Sequence, residues 1–176
     1  MRIDHIAYRV TNKDSAADFF AKAFGYKIAD KFEINFEDGT CAQCYAMVPP
    51  EKVSLDDSFS SWISTNHNGE YHIPPEIFIS DGSPNSIVSN WVAKRGGTGA
   101  IHHIAYQVDD VEAAMSDWVE RGLAKFTTDT PIHADGLTQC FTEENPITGV
   151  VYELINRTTK GFNISNVKDL MKSSSD

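Results

Sequence analysis

Two histidines, His5 and His103, stand at the same place in two copies of one hexapeptide: His5-Ile-Ala-Tyr-Arg-Val10 returns as His103-Ile-Ala-Tyr-Gln-Val108. Imidazole nitrogens are good ligands for divalent transition metals, and a site needs three or four such donors or carboxylates converging from separate strands. Two glutamates complete the pattern. Glu76 and Glu153 lie in the apolar runs Glu76-Ile-Phe-Ile-Ser80 and Val150-Val-Tyr-Glu-Leu-Ile155. Alternation sets Glu76 on the face opposite Ile77 and Ile79, and Glu153 opposite Tyr152 and Leu154. A carboxylate embedded there must be paired or ligated, because leaving it bare in an apolar interior is costly. The expectation is a metal centre of His5, Glu76, His103 and Glu153, with Glu76 or Glu153 also able to move a proton as a catalytic group. Blander readings exist: a histidine bonded to backbone, Glu153 paired with Arg157, Glu76 at an exposed edge after Pro75. They leave unexplained why His and Glu recur at the start and end of both copies.

The elements that must position these residues repeat as well. After His5, Asp14 to Phe24 places Ala17, Phe20, Ala21 and Phe24 at helical spacing, with Gly25 suited to the left-handed C-terminal position. After His103, Val111 to Arg121 does the same, closed by Gly122. Further on, Asp38-Gly39 leads to Gln43-Cys44-Tyr45, and Asp135-Gly136 leads to Gln139-Cys140-Phe141. The separation between partners stays nearly constant, as a true repeat requires. In the first strand Ile6, Tyr8 and Val10 share one face and His5, Ala7 and Arg9 the other. Strands are predicted at 27–35, 40–48 and 76–80, and then at 101–108, 124–128, 137–142 and 150–155. The fold expected is α+β: two tandem βαβββ modules forming a curved mixed sheet around a metal-binding cleft, with helices on the outer face. The first module spans 1–80, the second 101–157. A linker with a short helix fills 81–100, and a tail with a short helix fills 158–176, all in one compact domain. The copies diverge at 49–75, where Pro49-Pro50, Asp56-Asp57 and Pro74-Pro75 mark an irregular insertion. Such a loop serves as a lid, an interface element or a solvated excursion.

Composition narrows the function classes. A net charge of −10 with 15 scattered Lys and Arg argues against nucleic acid, which demands a basic stripe. No stretch has the roughly 18 apolar residues of a membrane span, and the amino terminus does not resemble a targeting peptide, so a cytoplasmic location is expected. Three cysteines without zinc-site spacing suit reduced thiols.

Paired βαβββ modules with His at the start and Glu at the end of each resemble the vicinal oxygen chelate superfamily. It includes glyoxalase I, methylmalonyl-CoA epimerase, extradiol dioxygenases and 4-hydroxyphenylpyruvate dioxygenase. The resemblance covers the chain apart from the insertion and implies a divalent metal, with Fe(II) favoured and Ni, Co, Zn or Mn able to replace it. Gly99-Ala-Ile-His-His103-Ile-Ala, Leu137-Thr-Gln-Cys-Phe141-Thr, Tyr152-Glu-Leu-Ile-Asn-Arg157 and Gly161-Phe-Asn-Ile-Ser-Asn166 are similar, in order and spacing, to the catalytic half of the last of these. That similarity implies metal on His5, His103 and Glu153, a substrate pocket lined by Gln139 and Phe141, and Phe162 on a tail that closes over it. The dioxygenase carries a further pair of modules ahead of this half, and its three-ligand set has no place for Glu76. A four-ligand set belongs to glyoxalase I and the epimerase. The expected function is thus a metal-dependent dioxygenase acting on a chelated 2-oxo acid or similar small carbonyl compound. The alternatives are a lyase or isomerase of the glyoxalase or epimerase type, and a metal-free binding protein of the same fold. A cleft completed within one chain and one completed across a homodimer both fit the sequence.

Overall fold

The computed structural model describes residues 2–50, 74–134 and 136–157. Its elements run β1 (Arg2–Arg9), α1 (Lys13–Phe24), β2 (Lys27–Asn35), β3 (Cys41–Val48), β4 (Glu76–Gly82), α2 (Ile87–Lys94), β5 (Ala100–Gln107), α3 (Val111–Glu120), β6 (Ile132–Ala134), β7 (Leu137–Phe141) and β8 (Val151–Arg157). The strands make one curled mixed sheet in the order β2-β3-β4-β1-β5-β8-β7-β6. At its centre β1 and β5 are antiparallel, and each has a parallel partner on its other side, β4 for β1 and β8 for β5. Read from either edge the order of roles is the same, which is the α+β arrangement of two βαβββ modules about a pseudo-twofold axis. Among the described residues no helix is long and apolar enough to cross a membrane.

Helix ends follow the local chemistry. The Asn12 side chain accepts from the Ser15 N–H to start α1, and Gly25 ends it at φ 74°. Asp110 starts α3 by accepting from the Ala113 N–H. Both helices cover the outer face of the sheet. Ala17 and Phe20 of α1 meet Tyr8, Tyr45, Ile77 and Ile79, while Val111 and Met115 of α3 meet Val108, Cys140 and Leu154. The linker helix α2 takes the other side. Its Val88 joins Ala7, Phe32, Ile34, Cys44 and Phe78 in a core on the concave face of the first module. Gly82 permits that turn, since a Cβ there would lie 2.1 Å from Ser86 Oγ and 3.0 Å from Val88 Cβ. The expected placement of helices on the outer face therefore holds for α1 and α3, and α2 departs from it.

Two other expectations need correcting. The strand predicted at 124–128 is a single bridge, Phe126 to Thr142, and the edge strand of the second module is Ile132–Ala134. Pro131, which has no N–H to give a ladder, lies between the two segments. The matched triplets Gln43-Cys44-Tyr45 and Gln139-Cys140-Phe141 are also one residue out of structural register. Tyr45 packs beneath α1 on the outer face, whereas Phe141 pairs with Glu153 and meets His103 edge to face at 5.7 Å between ring centroids. A shift of one residue in a strand reverses every side chain, so similarity of letters here does not carry similarity of face. Cys41, Cys44 and Cys140 are free thiols.

Candidate metal centre

The site is built where β1 crosses the axis beside β5. Their pairing sets His5 opposite Ala105 and Ala7 opposite His103, so the two histidines lie diagonally across a pair of alanines and face the same side. Alanine is what lets them meet. Their Nε2 atoms are 3.1 Å apart. On β8, Glu153 pairs with Ala105 and brings its Oε2 to 3.3 Å from His5 Nε2 and 3.4 Å from His103 Nε2. All three residues are buried, with 3%, 3% and 1% of their surfaces exposed.

This triangle fits a divalent ion. Donors about 2.0 to 2.2 Å from one metal stand roughly 3 Å from each other, close to the separations found. Glu153 Oε2 is buried without a well-aligned hydrogen bond and has only the two histidine nitrogens beside it, a place that a shared ion would fill. His5, His103 and Glu153 are the group of described residues able to hold a metal. Each histidine is also held from behind. His5 Nδ1 lies 2.8 Å from Asp4 Oδ1, and Arg157 grips the same carboxylate, with Nε 3.0 Å from Oδ2 and a terminal nitrogen 2.5 Å from Oδ1. A hydrogen on His5 Nδ1 leaves Nε2 with a lone pair for the ion.

Glu76 takes a different position from the one expected. It pairs with His5 across β1 and β4, but its carboxylate is 3.0 Å from Arg157 and lies outside the triangle. Register gives the reason. Glu153 pairs with Ala105, and the counterpart of Ala105 in the first module is Ala7, which pairs with Phe78. Glu76 instead matches Val151, the partner of His103. The place that mirrors Glu153 thus holds a phenylalanine, buried against Phe32 in the apolar core over the first module.

Charge in the centre is tightly coupled. Burial works against a protonated His5, but the carboxylates of Glu153 and Asp4 outweigh it and raise its pKa to about 9. Burial, then the positive charges of His5 and Arg9, hold His103 well below the usual histidine range. Burial raises Glu153, and the His5 charge opposes it. A testable consequence follows for the metal-free protein. A raised histidine pKa contributes stability that is complete below its ordinary value of 6.5 and lost as pH rises through about 9. Above about pH 7.5 histidines of the unfolded chain are already neutral, so the depressed His103 no longer adds pH dependence. Chemical denaturation of chelator-treated protein should show stability falling between those limits, and a rise would contradict this charge assignment.

Comparison with known proteins agrees with the geometry. The sequence profile of the glyoxalase/bleomycin resistance protein/dioxygenase superfamily matches residues 4–141. The chain belongs to that superfamily. Its vicinal oxygen chelate fold is shared by a methylmalonyl-CoA epimerase at 25% identity and TM-score 0.61, covering 89% of this chain and 95% of that one. A 4-hydroxymandelate synthase variant from Streptomyces coelicolor has TM-score 0.73 at 17% identity, covering 97% of this chain and 52% of that one. The present chain therefore spans about half the synthase's length. A methylmalonyl-CoA epimerase from Mycobacterium tuberculosis matches at 17% identity and TM-score 0.61, covering 89% and 88% of the two chains. No curated protein sequence gives a significant match.

Within this vicinal oxygen chelate fold the other expected residues fall as follows. Gln139 and Phe141 occupy β7 beside Ile155 and Glu153 on the concave face, both buried, and Gln139 Nε2 has no hydrogen-bond partner. Phe162, the tail and most of the insertion lie outside the described residues. Sequence reasoning missed Asp4 and His102. Strict alternation sends the residue before each histidine to the opposite face, yet the β1–β5 register shifts between Ile3 and His5 and again between Ala7 and Tyr8, opposite His103 and Ile101. These bulges turn Asp4 and His102 toward the centre. The available signal was a second polar residue directly before each histidine.

Proposed function

We propose that this chain is a divalent-metal-dependent enzyme with a centre of two histidines and one glutamate, acting on a small 2-oxo acid or related carbonyl compound in the manner of 4-hydroxyphenylpyruvate dioxygenase. The observation that carries this reading is the donor count: Phe78 stands where a second carboxylate would mirror Glu153, and Glu76 is engaged by Arg157. Two histidines and one carboxylate on one face of an ion, with its remaining positions open, are the donor set of non-haem Fe(II) oxygenases. Fe(II) is the ion proposed, and Ni, Co, Zn or Mn would accept the same donors.

When bound, the ion would polarise a chelated carbonyl and supply the redox chemistry. The chain's own residues do the rest. His5, His103 and Glu153 hold the ion on the sheet, and Asp4 and Arg157 fix the His5 ring. Val151 and Phe141, packed together, exclude water from one side. Gln139, buried with an unused amide N–H, donates to the substrate. The free cysteines suit a reducing cytoplasm.

A second reading, an epimerase or glyoxalase type of isomerase or lyase, is favoured by one observation: the epimerase match spans 95% of that enzyme. It requires Glu76 to leave Arg157 and join the ion. One set of measurements separates the two. Protein purified without chelators or a metal-affinity tag should carry about one divalent ion per chain, consume oxygen with members of a panel of 2-oxo acids, and keep its metal in the Glu76→Ala variant. Undiminished turnover under strict anaerobiosis, with loss of metal in Glu76→Ala, would transfer the assignment to the isomerase or lyase class. Wild-type protein that takes up no divalent ion would end both readings.

A further inference from the structure

We propose that His102 is a positioning residue that sets the tautomer of His103 and thereby makes its Nε2 available to the centre. The proposal rests on the metal reading above. His102 Nδ1 lies 2.8 Å from His103 Nδ1, with both rings buried and nearly perpendicular at 81°. Two ring nitrogens at that distance share one hydrogen, because two would clash and none would set lone pairs against each other. If His102 owned it, a neutral His103 would carry its remaining hydrogen on Nε2, 3.1 Å from His5 Nε2 and 3.4 Å from Glu153 Oε2, and could not ligate. If His103 owns it, Nε2 presents a lone pair and His102 is the acceptor.

The pseudo-twofold axis points to the second state, in which a neutral His102 carries its own hydrogen on Nε2, a buried nitrogen with no hydrogen-bond partner. His102 occupies the bulge that mirrors Asp4, which lies 2.8 Å from His5 Nδ1 and, as a carboxylate, can only accept. Each metal-facing histidine is thus backed through Nδ1 by the residue before it, turned inward by a bulge. The two backings differ in charge. Asp4 is an anion balanced by Arg157, while His102 is an imidazole wedged edge to face against Trp91, with centroids 5.5 Å apart. An acceptor with no charge spares this side of the site the desolvation of a second buried anion.

The test reads the tautomer directly and then perturbs it. Long-range proton–nitrogen correlation spectra of ¹⁵N-histidine-labelled, metal-free protein should show His103 with its hydrogen on Nδ1, in wild type and in His102→Gln, whose side-chain carbonyl can accept in the same place. His102→Leu should lose that preference and bind Co(II), used as a spectroscopic probe, about 10- to 100-fold more weakly, with an altered visible spectrum. His102→Gln should restore most of the affinity. An Nε2–H tautomer for His103 in wild type overturns the proposal, as does wild-type Co(II) affinity and spectrum in a folded His102→Leu protein. If that variant does not fold, the wild-type tautomer and the glutamine variant still decide. If wild type takes up no Co(II), the metal reading fails, while the tautomer spectrum independently reports whether His102 is the acceptor.

Discussion

Glu153→Ala is expected to weaken metal binding on the order of 100-fold or more while leaving the metal-free fold close to its wild-type stability. The first half follows from the position of Oε2, between both histidine Nε2 atoms at 3.3 and 3.4 Å. Removing a partner from outside the ligand set of a metal already costs about 10- to 100-fold in affinity, so a ligand should cost at least that. The second half follows from burial. A carboxylate 1% exposed brings a desolvation penalty into the metal-free fold, and its attraction to His5 falls short of cancelling it. Titration calorimetry gives the affinity, and thermal melts with and without metal give the linkage. Wild type should gain about 2.7 kcal/mol at a free metal concentration 100 times Kd, and the variant almost nothing. The charge that raises His5 also disappears, so the loss of stability above neutral pH should flatten. Wild-type metal affinity in Glu153→Ala would remove this residue from the centre, and with it the three-donor reading.

The second large effect is expected from a residue that does not touch the ion. Arg157→Met should destabilise the protein by about 3 to 5 kcal/mol, the usual cost of taking one partner from a buried ion pair. The reason is Asp4, whose side chain is only 5% exposed and which Arg157 grips through two nitrogens while also reaching Glu76. Without the guanidinium two carboxylates remain, one of them desolvated. Burial by itself would raise the Asp4 pKa, but the His5 contact and then Arg157 outweigh it and hold Asp4 below its ordinary 3.8. A depressed carboxylate contributes stability that is present above its unfolded pKa and lost as pH falls through the lower folded value. In Arg157→Met the folded Asp4 pKa should rise toward its unfolded value, so the loss of stability on acidification below about pH 4 should become shallower. Adding Asp4→Asn to Arg157→Met should recover part of the loss, since it removes the stranded charge. Urea denaturation of the four proteins of that cycle measures the coupling. A loss under about 1 kcal/mol, the level of a surface pair, would show that Arg157 is dispensable to the architecture.

The two variants fail in different ways, and together they divide the site. In the proposed centre Glu153 would serve the ion and do little for the fold, whereas Arg157 would serve the fold and reach the ion only through Asp4 and the His5 ring. Oxidative and isomerising readings share this division. They differ at Glu76, which the structure gives to Arg157.

Much of this was legible in the residues. The repeated hexapeptide identified two modules, period-two alternation gave β1 and β5 their faces, and helical spacing closed by Gly25 and Gly122 located α1 and α3. His5, His103 and Glu153 were recognisable as residues of one side, because parity along a strand is a local property that any run of alternating residues displays. What lay beyond the residues was anything fixed by the offset between strands. Whether Glu76 or residue 78 mirrors Glu153 depends on how β4 slides against β1, and that offset is set by packing far along the chain, Phe78 entering a core closed by Val88 of α2. The bulges that bring Asp4 and His102 inward break the alternation from which faces are read, and a strand shows no sign of its bulge until its partner is beside it. Sequence by itself set two histidines and two glutamates of two modules toward one cleft. Only the tertiary structure decided that three of the four come together and which residues stand behind them, because strand register and bulges arise from non-local pairing, whereas alternation is written residue by residue.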